Sequence, residues 1–96
     1  MKHLPEKILI AGMDYKIIQC KRSDFDEDGR IAEIDCMNLE IKILKTLALP
    51  VKWGSLLHEV THAVSVNADI KLTESQVVAL GNGLYQVLID NDLMKI

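Results

Sequence analysis

The spacing of the apolar residues changes at Pro50, and this change limits the folds that are open to the chain. Before it, Leu39, Ile41 and Ile43 alternate with charged residues in the period of two that is typical of a half-buried strand. After it, apolar residues recur every three or four positions, as on an amphipathic helix; they are Trp53, Leu56, Leu57, Val60, Ala63 and Val64. Strands followed by helices predict an α+β chain.

Two pairs of strands are expected before Pro50. The isoleucine-rich runs KILIAG and YKIIQC are separated by residues 12–14, which predicts a hairpin. The runs RIAEIDC and NLEIKIL follow, and Met37 and Asn38 at their junction are expected to form a turn. We therefore predict a small sheet of three or four strands, mostly antiparallel.

Two packed helices are expected after the sheet. The first covers VKWGSLLHEVTHAVSV and carries the stretch HEVTH, and the second lies within LTESQVVALGNGLYQVLIDN. Thr73 is the predicted N-cap of the second helix, and Gln76 three residues later completes a capping box. An inward-facing stripe at three-four-seven spacing is predicted on this helix; it comprises Val77, Val78, Gly81 and Leu84.

Length and charge restrict the class of protein. With 96 residues, of which 49% are hydrophobic, the chain fits a single domain over residues 1–96. A net charge of −3 without a run of lysine or arginine argues against a nucleic-acid partner. Pro5 and Glu6 stand where a signal peptide needs apolar residues, and no run approaches the roughly 18 apolar residues of a membrane helix. We therefore expect a cytoplasmic protein without a membrane partner.

Cys20 and Cys36 fit no metal-binding spacing and are expected to be apolar fillers without a disulfide.

The stretch HEVTH, residues 58–62, has the spacing of a catalytic zinc motif. Residues four apart lie on one face of a helix, so the imidazoles of His58 and His62 are predicted to bind one zinc ion at about 2.0–2.1 Å. Glu59 is rotated by about 100° from His58 and cannot easily be a ligand, but it can reach a water on the metal. We therefore predict Glu59 as the general base. His3 lies near the terminus and is expected to be solvated.

A catalytic zinc site needs a third protein ligand. The acidic candidates downstream are Asp69, Glu74, Asp90 and Asp92. In one class of zinc site the third ligand follows shortly after the HExxH helix, behind a glycine turn, and Asp69 has no such turn before it. Glu74 stands at the end of the apolar stripe of the second helix. We predict Glu74 as the third ligand. Gly81 and Gly83 are expected to let the HEVTH helix approach closely.

The stretch DFDEDGRIAEID contains a second candidate cation site. Asp24, Asp26, Asp28 and Gly29 occupy positions 1, 3, 5 and 6 of a calcium loop. Asp35 stands at position 12, where that loop has a glutamate, and the flanks are expected to be strands in place of two helices. The alternative is a solvated loop between two strands, and both interpretations stay open.

The stretch LLHEVTHAV, together with TESQVVALGNGLYQVLIDN after it and GRIAEIDCMNLEIKIL before it, resembles the small zinc metallopeptidases of phages and prophages of Gram-positive bacteria. A more distant resemblance is to the ImmA/IrrE type. The resemblance covers about residues 29–92 and implies a minimal zincin in the cytoplasm of a host cell. By position it implies His58, His62 and Glu74 as zinc ligands and Glu59 as the catalytic acid and base.

Three functional hypotheses follow. The leading one is a zinc-dependent metallopeptidase that acts on a peptide or protein substrate. The alternative is a non-catalytic zincin-fold binding module that docks on a regulatory partner, and the third is a structural metal domain. For the peptidase, Tyr15 or Tyr85 is a candidate to stabilise the oxyanion. By analogy with related zincins, NLEIKIL is expected to be the sheet edge that binds substrate by strand addition.

Overall fold

The computed structural model describes residues 3–27 and 29–94. Its elements in chain order are β1 (Lys7–Ile10), β2 (Met13–Cys20), a 3-10 helix (Arg22–Asp24), β3 (Ala32–Asp35), β4 (Glu40–Leu44), α1 (Leu49–Asn67) and α2 (Glu74–Asp90). Within these residues four strands precede two helices, so the predicted α+β class is confirmed.

The four strands form one mixed sheet in the order β1-β2-β4-β3. The outer pairs, β1 with β2 and β3 with β4, are antiparallel, whereas the central pair of β2 and β4 is parallel. The prediction that NLEIKIL is the sheet edge is wrong, because β4 pairs with β2 on one side and with β3 on the other. Its inner position agrees with the complete burial of Ile41 and Ile43. The edge beside β4 is β3.

Each of the two antiparallel strand pairs is closed by a tight turn. Ala11 and Gly12 both have positive φ, 52° and 78°, as a tight turn between β1 and β2 requires, so the predicted hairpin is confirmed with its turn slightly earlier. In the turn between β3 and β4, the Asp35 carboxylate accepts hydrogen bonds from the backbone N–H groups of Met37 and Asn38, at 3.0 Å each. This second turn, which is also as predicted, holds β3 against β4 while β2 occupies the other side of β4.

The helix α1 packs on the sheet through one apolar face. Pro50 lies in its first turn, where the missing N–H costs no helical hydrogen bond. Trp53, Leu56 and Ala63 are buried in the main core with the residues of the sheet. Val64, which was expected on the same face, is exposed because the buried stripe of α1 is narrower than the periodicity indicates.

The helix α2 packs on α1, and only part of the apolar stripe predicted on α2 is buried by this contact. Val77 and Gly81 are buried as expected, whereas Val78 and Leu84 are exposed. A helix that packs on a single neighbouring helix buries a narrow face, and here that face continues through Tyr85, which is partly buried against the core. Within the described residues, neither α1 nor α2 combines the length and apolar character that crossing a membrane requires.

The two cysteines occupy different environments. Cys20 is buried in a small apolar cluster with Phe25 and Leu44, as expected of an apolar filler. Cys36 is exposed in the turn that follows β3, so the same expectation does not hold there. Both thiols are free.

Candidate metal centre

The two histidines of HEVTH stand one helical turn apart on α1. Their ring centroids are 4.9 Å apart, and their planes meet at 69°. The side chains of His58 and His62 are 28% and 32% exposed. Their Nε2 atoms are therefore partly shielded from solvent but still reachable, as the ligands of an open metal site must be.

Glu74 is the first residue of α2, and its carboxylate lies between the two imidazoles. Its Oε1 is 2.9 Å from Nε2 of His58, and its Oε2 is 3.3 Å from Nε2 of His62. The helix start is fixed by a capping box: Thr73 Oγ1 accepts from the N–H of Gln76 at 3.1 Å, and Gln76 Oε1 accepts from the N–H of Thr73 at 2.8 Å. The predicted capping box is confirmed, and it places Glu74 opposite the histidine face of α1.

These three side chains lie close enough together to hold one metal ion. One ligand atom from each lies within 4.8 Å of the other two. In a tetrahedral site with bonds of about 2.0–2.1 Å, neighbouring ligand atoms are about 3.3 Å apart. The distances from Nε2 of His58 to Oε1 of Glu74 and from Nε2 of His62 to Oε2 of Glu74, 2.9 and 3.3 Å, involve different carboxylate oxygens and are near that value. Two imidazoles and one carboxylate suit zinc and leave a fourth position open.

The two helices approach each other closely at Gly81. A Cβ atom added there would lie 3.4 Å from the Cα of His58 and 3.6 Å from Oγ1 of Thr61. These are ordinary van der Waals distances, so the HEVTH helix lies against position 81 as expected, but a single methyl group would also fit there. The same expectation is wrong for Gly83, where an added Cβ would meet no atom within 4 Å. Gly83 lies on the exposed side of α2, which the spacing of two residues between the glycines already implies.

Glu59 lies beside the group of His58, His62 and Glu74 without joining it. The residue is 6% exposed, and it lines the same cleft as the two histidines. Burial raises the pKa of the Glu59 carboxyl above its usual value; among its charged neighbours His58 and Arg30 lower this pKa, and Glu74 raises it. A carboxylate with a raised pKa accepts a proton more readily near neutral pH, which is the property that a general base needs.

A cleft of about 420 Å³ surrounds the group. Besides the four predicted site residues, its polar lining comes from Arg30 before β3, Ser55 on α1 and Asn82 on α2. Asn82 follows Glu74 by eight residues, about two helical turns, and this spacing was a signal in the sequence. Arg30 has no comparable signal, because the pairing of β3 with β4 brings it to the cleft.

The two tyrosines that were candidates for stabilising an oxyanion are not among the residues that line the cleft. Tyr15 is buried within the core, beside Cys36 and Asn67, and burial raises the pKa of its hydroxyl. Tyr85 packs partly buried against the main core. The neutral hydrogen-bond donors that do line the cleft are the side chains of Ser55 and Asn82.

Among the residues described, two carboxylates of the acidic stretch DFDEDGRIAEID accept hydrogen bonds within local turns. Asp28, one of the proposed calcium ligands, lies outside the described residues. The Asp24 carboxylate accepts from the N–H of Lys21 at 3.1 Å, and the Asp35 carboxylate is used in the turn after β3. The element at the start of this stretch is a 3-10 helix, where a strand was expected, and the element at its end is the expected strand β3; neither is a helix of an EF-hand.

The other acidic candidates for a third ligand stand apart from the histidines. Asp69 is exposed after the end of α1, and Asp90 accepts a hydrogen bond from Gln86 at 2.7 Å on the exposed side of α2. In residues 3–27 and 29–94, the group that the structure brings together for a metal is His58, His62 and Glu74. His3 is exposed, in agreement with its expected solvation.

Comparisons of the chain with protein-family models, with curated proteins and with solved structures give no match.

Proposed function

We propose that the chain is a zinc-dependent metallopeptidase of the minimal zincin type, in which His58, His62 and Glu74 bind the metal and Glu59 is the general base. One observation carries this proposal. A single carboxylate lies within 3.3 Å of both Nε2 atoms, and a buried glutamate lines the same cleft. A structural metal site needs no general base beside it, whereas peptide hydrolysis does.

A zinc ion held by His58, His62 and Glu74 would supply Lewis-acid chemistry, polarising a carbonyl and lowering the pKa of a bound water to about 7. Glu59 takes one proton from the attacking water as the new carbon–oxygen bond forms. The same carboxyl then gives this proton to the amine nitrogen as the carbon–nitrogen bond breaks. Ser55 and Asn82 supply neutral donors for the oxygen on which negative charge develops.

The free edge of β3 supplies a place for the peptide backbone. The Leu44 N–H donates to the Ile31 carbonyl at 2.8 Å, and Ala32 stands opposite Ile43. Because hydrogen-bonded pairs alternate along an antiparallel ladder, the backbone groups of Ala32 point away from β4. Ala32 also lines the cleft. An extended substrate would therefore add to the sheet at β3, next to the metal site.

The proposal is tested with the Glu59→Gln variant, which keeps the size of the side chain but cannot take up a proton. Zinc-loaded wild type and variant are incubated with a mixture of random peptides, and the products are identified by mass spectrometry. Loss of a general base lowers cleavage by about 100-fold or more, while the zinc content stays unchanged. Full cleavage by Glu59→Gln would contradict the assignment of the base.

A second function, that of a binding module, has one observation in its favour. An apolar groove of about 280 Å³ lies between α1 and α2, away from the metal group, and exposed Val64, Ile70, Leu80 and Leu84 line it. Exposed apolar surface of this kind is typical of contacts with another protein. Under this alternative the wild type cleaves nothing in the peptide mixture, and Glu59→Gln leaves partner binding unchanged.

A further inference from the structure

The guanidinium of Arg30 adds a positive charge to the cleft that holds the proposed metal ligands. Of the described residues that line it, Arg30 is the only lysine or arginine, whereas Glu59 and Glu74 are acidic. With two imidazoles and Glu74 bound to a metal, Arg30 is the group left to recognise charge on a substrate. A guanidinium offers five N–H donors in a planar fork that matches a carboxylate.

Among the residues that the structure describes, the Arg30 guanidinium forms an ion pair with Glu27. Its Nη2 lies 2.9 Å from Oε2 of Glu27, and the side chains of these two residues are 38% and 70% exposed. An exposed ion pair of this kind is weak, so a bound carboxylate can replace Glu27 or share the fork with it. The backbone of Arg30 is held independently, because Arg22 Nη1 donates to its carbonyl.

The direction of the sheet places Arg30 on one side of the scissile bond. Arg30 precedes Ala32 by two residues, which corresponds to about 7 Å along a strand. A peptide that adds antiparallel to β3 runs toward Arg30 with its C-terminal part, and antiparallel pairing is the slightly more stable arrangement. A scissile bond beside Ala32 therefore has the residues that follow it near the guanidinium.

We propose that Arg30 binds a carboxylate of the substrate, about one or two residues beyond the scissile bond on its C-terminal side. The inference rests on the proposed peptidase function and names the substrate class: peptides with negative charge at that position. The carboxylate belongs either to the C-terminus of a short peptide or to an aspartate or glutamate side chain.

Three hydroxamates test this inference by binding, without any need for turnover. Each carries a zinc-binding hydroxamate on a succinyl spacer, which is coupled to alanine with a free carboxyl, to aspartate amide or to alanine amide. We expect zinc-loaded wild type to bind one of the two carboxylate probes about tenfold more tightly than alanine amide in calorimetry. The preferred probe tells whether a terminal or a side-chain carboxylate is recognised.

Variants then assign the preference to Arg30. Arg30→Gln should bind all three probes equally and keep its zinc, and Arg30→Lys should keep part of the preference because it retains the charge without the fork. Lys52→Gln is the matched control, since Lys52 donates to Gln19 outside the cleft and its loss changes the net charge equally. We expect it to behave as wild type.

The outcomes separate this inference from the function on which it rests. Zinc and hydroxamate binding without a carboxylate preference, or with a preference that survives in Arg30→Gln, would overturn the role of Arg30 and leave the metal site standing. Absence of zinc binding in the wild type would overturn both. If a thermal melt shows that Arg30→Gln does not fold, Arg30→Lys is used in its place. An Arg30→Lys variant that prefers the carboxylate probe as strongly as wild type would overturn the role of the planar guanidinium.

Discussion

Gly81 on α2 lies directly against the backbone of His58 on α1, because a Cβ atom at position 81 would be 3.4 Å from the His58 Cα. The contact joins the helix that carries two proposed ligands to the helix that carries the third. The distance between Glu74 and the imidazoles therefore depends on a residue that is not a ligand. We therefore predict that packing and metal binding are coupled at this point of the fold.

Replacing Gly81 by valine is expected to destabilise the protein. A single methyl just fits at position 81, but the further methyl groups of valine would press on the α1 backbone, and overpacking of this kind costs about 1–3 kcal/mol. Gly83→Val is the matched control, since position 83 faces open space, and we expect its free energy of unfolding to stay within about 0.5 kcal/mol of wild type. Urea unfolding measures both. Equal effects of the two variants would contradict the close helix contact.

Replacing Thr73 by alanine is expected to weaken both the fold and the metal site. The variant loses the hydrogen bond from the Gln76 N–H to the capping hydroxyl, which costs about 1 kcal/mol. Glu74 stands in the first turn of the same helix, so fraying there moves a proposed ligand and lowers the affinity for zinc. Thermal melts and zinc titration measure the two effects. Thr73→Ser keeps the cap and should resemble wild type; an unchanged zinc affinity in Thr73→Ala would contradict the coupling.

The buried Glu59 carboxyl is expected to make the metal-free protein less stable as the pH rises. Burial raises its pKa above the usual value of 4.5, so the folded chain keeps a proton that the unfolded chain has already released. This contribution to stability is fully present below the unfolded pKa and is lost as the pH rises through the folded pKa. Glu59→Gln cannot titrate, so it should gain stability relative to wild type with rising pH.

Urea unfolding of both proteins in the presence of a chelator, at several pH values from about 4 to 8, measures this difference. The comparison cancels the titration of groups that both proteins share. A stability difference that does not change with pH would contradict a raised pKa of Glu59.

Local features of the site could be predicted from the sequence. The spacing of four between His58 and His62 places both imidazoles on one helix face, and the capping box at Thr73 and Gln76 places the start of α2. Each of these depends on residues within one turn of a helix. The proximity of Glu74 to the histidines followed from its place at the end of the inward stripe.

Features that depend on neighbours across the chain could not be predicted in the same way. The alternation in β4 indicates a strand, but it does not tell which strands lie on its two sides, so the edge was assigned to the wrong strand. The apolar periodicity of α2 includes Leu84, although a helix that packs on one neighbour leaves that position exposed. Arg30 enters the cleft for the same reason, since only the pairing of β3 brings it there.

The measurement that tests the central claim most directly is the zinc content of the purified protein after zinc is supplied and the excess removed. We compare wild type with Glu74→Ala and with Asp90→Ala, which removes another carboxylate of α2 that is bonded to Gln86. The account predicts one zinc per chain in wild type and Asp90→Ala, and loss or strong weakening of binding in Glu74→Ala. A wild type that holds no zinc, or a Glu74→Ala variant that holds it as tightly as wild type, would contradict a site made of His58, His62 and Glu74.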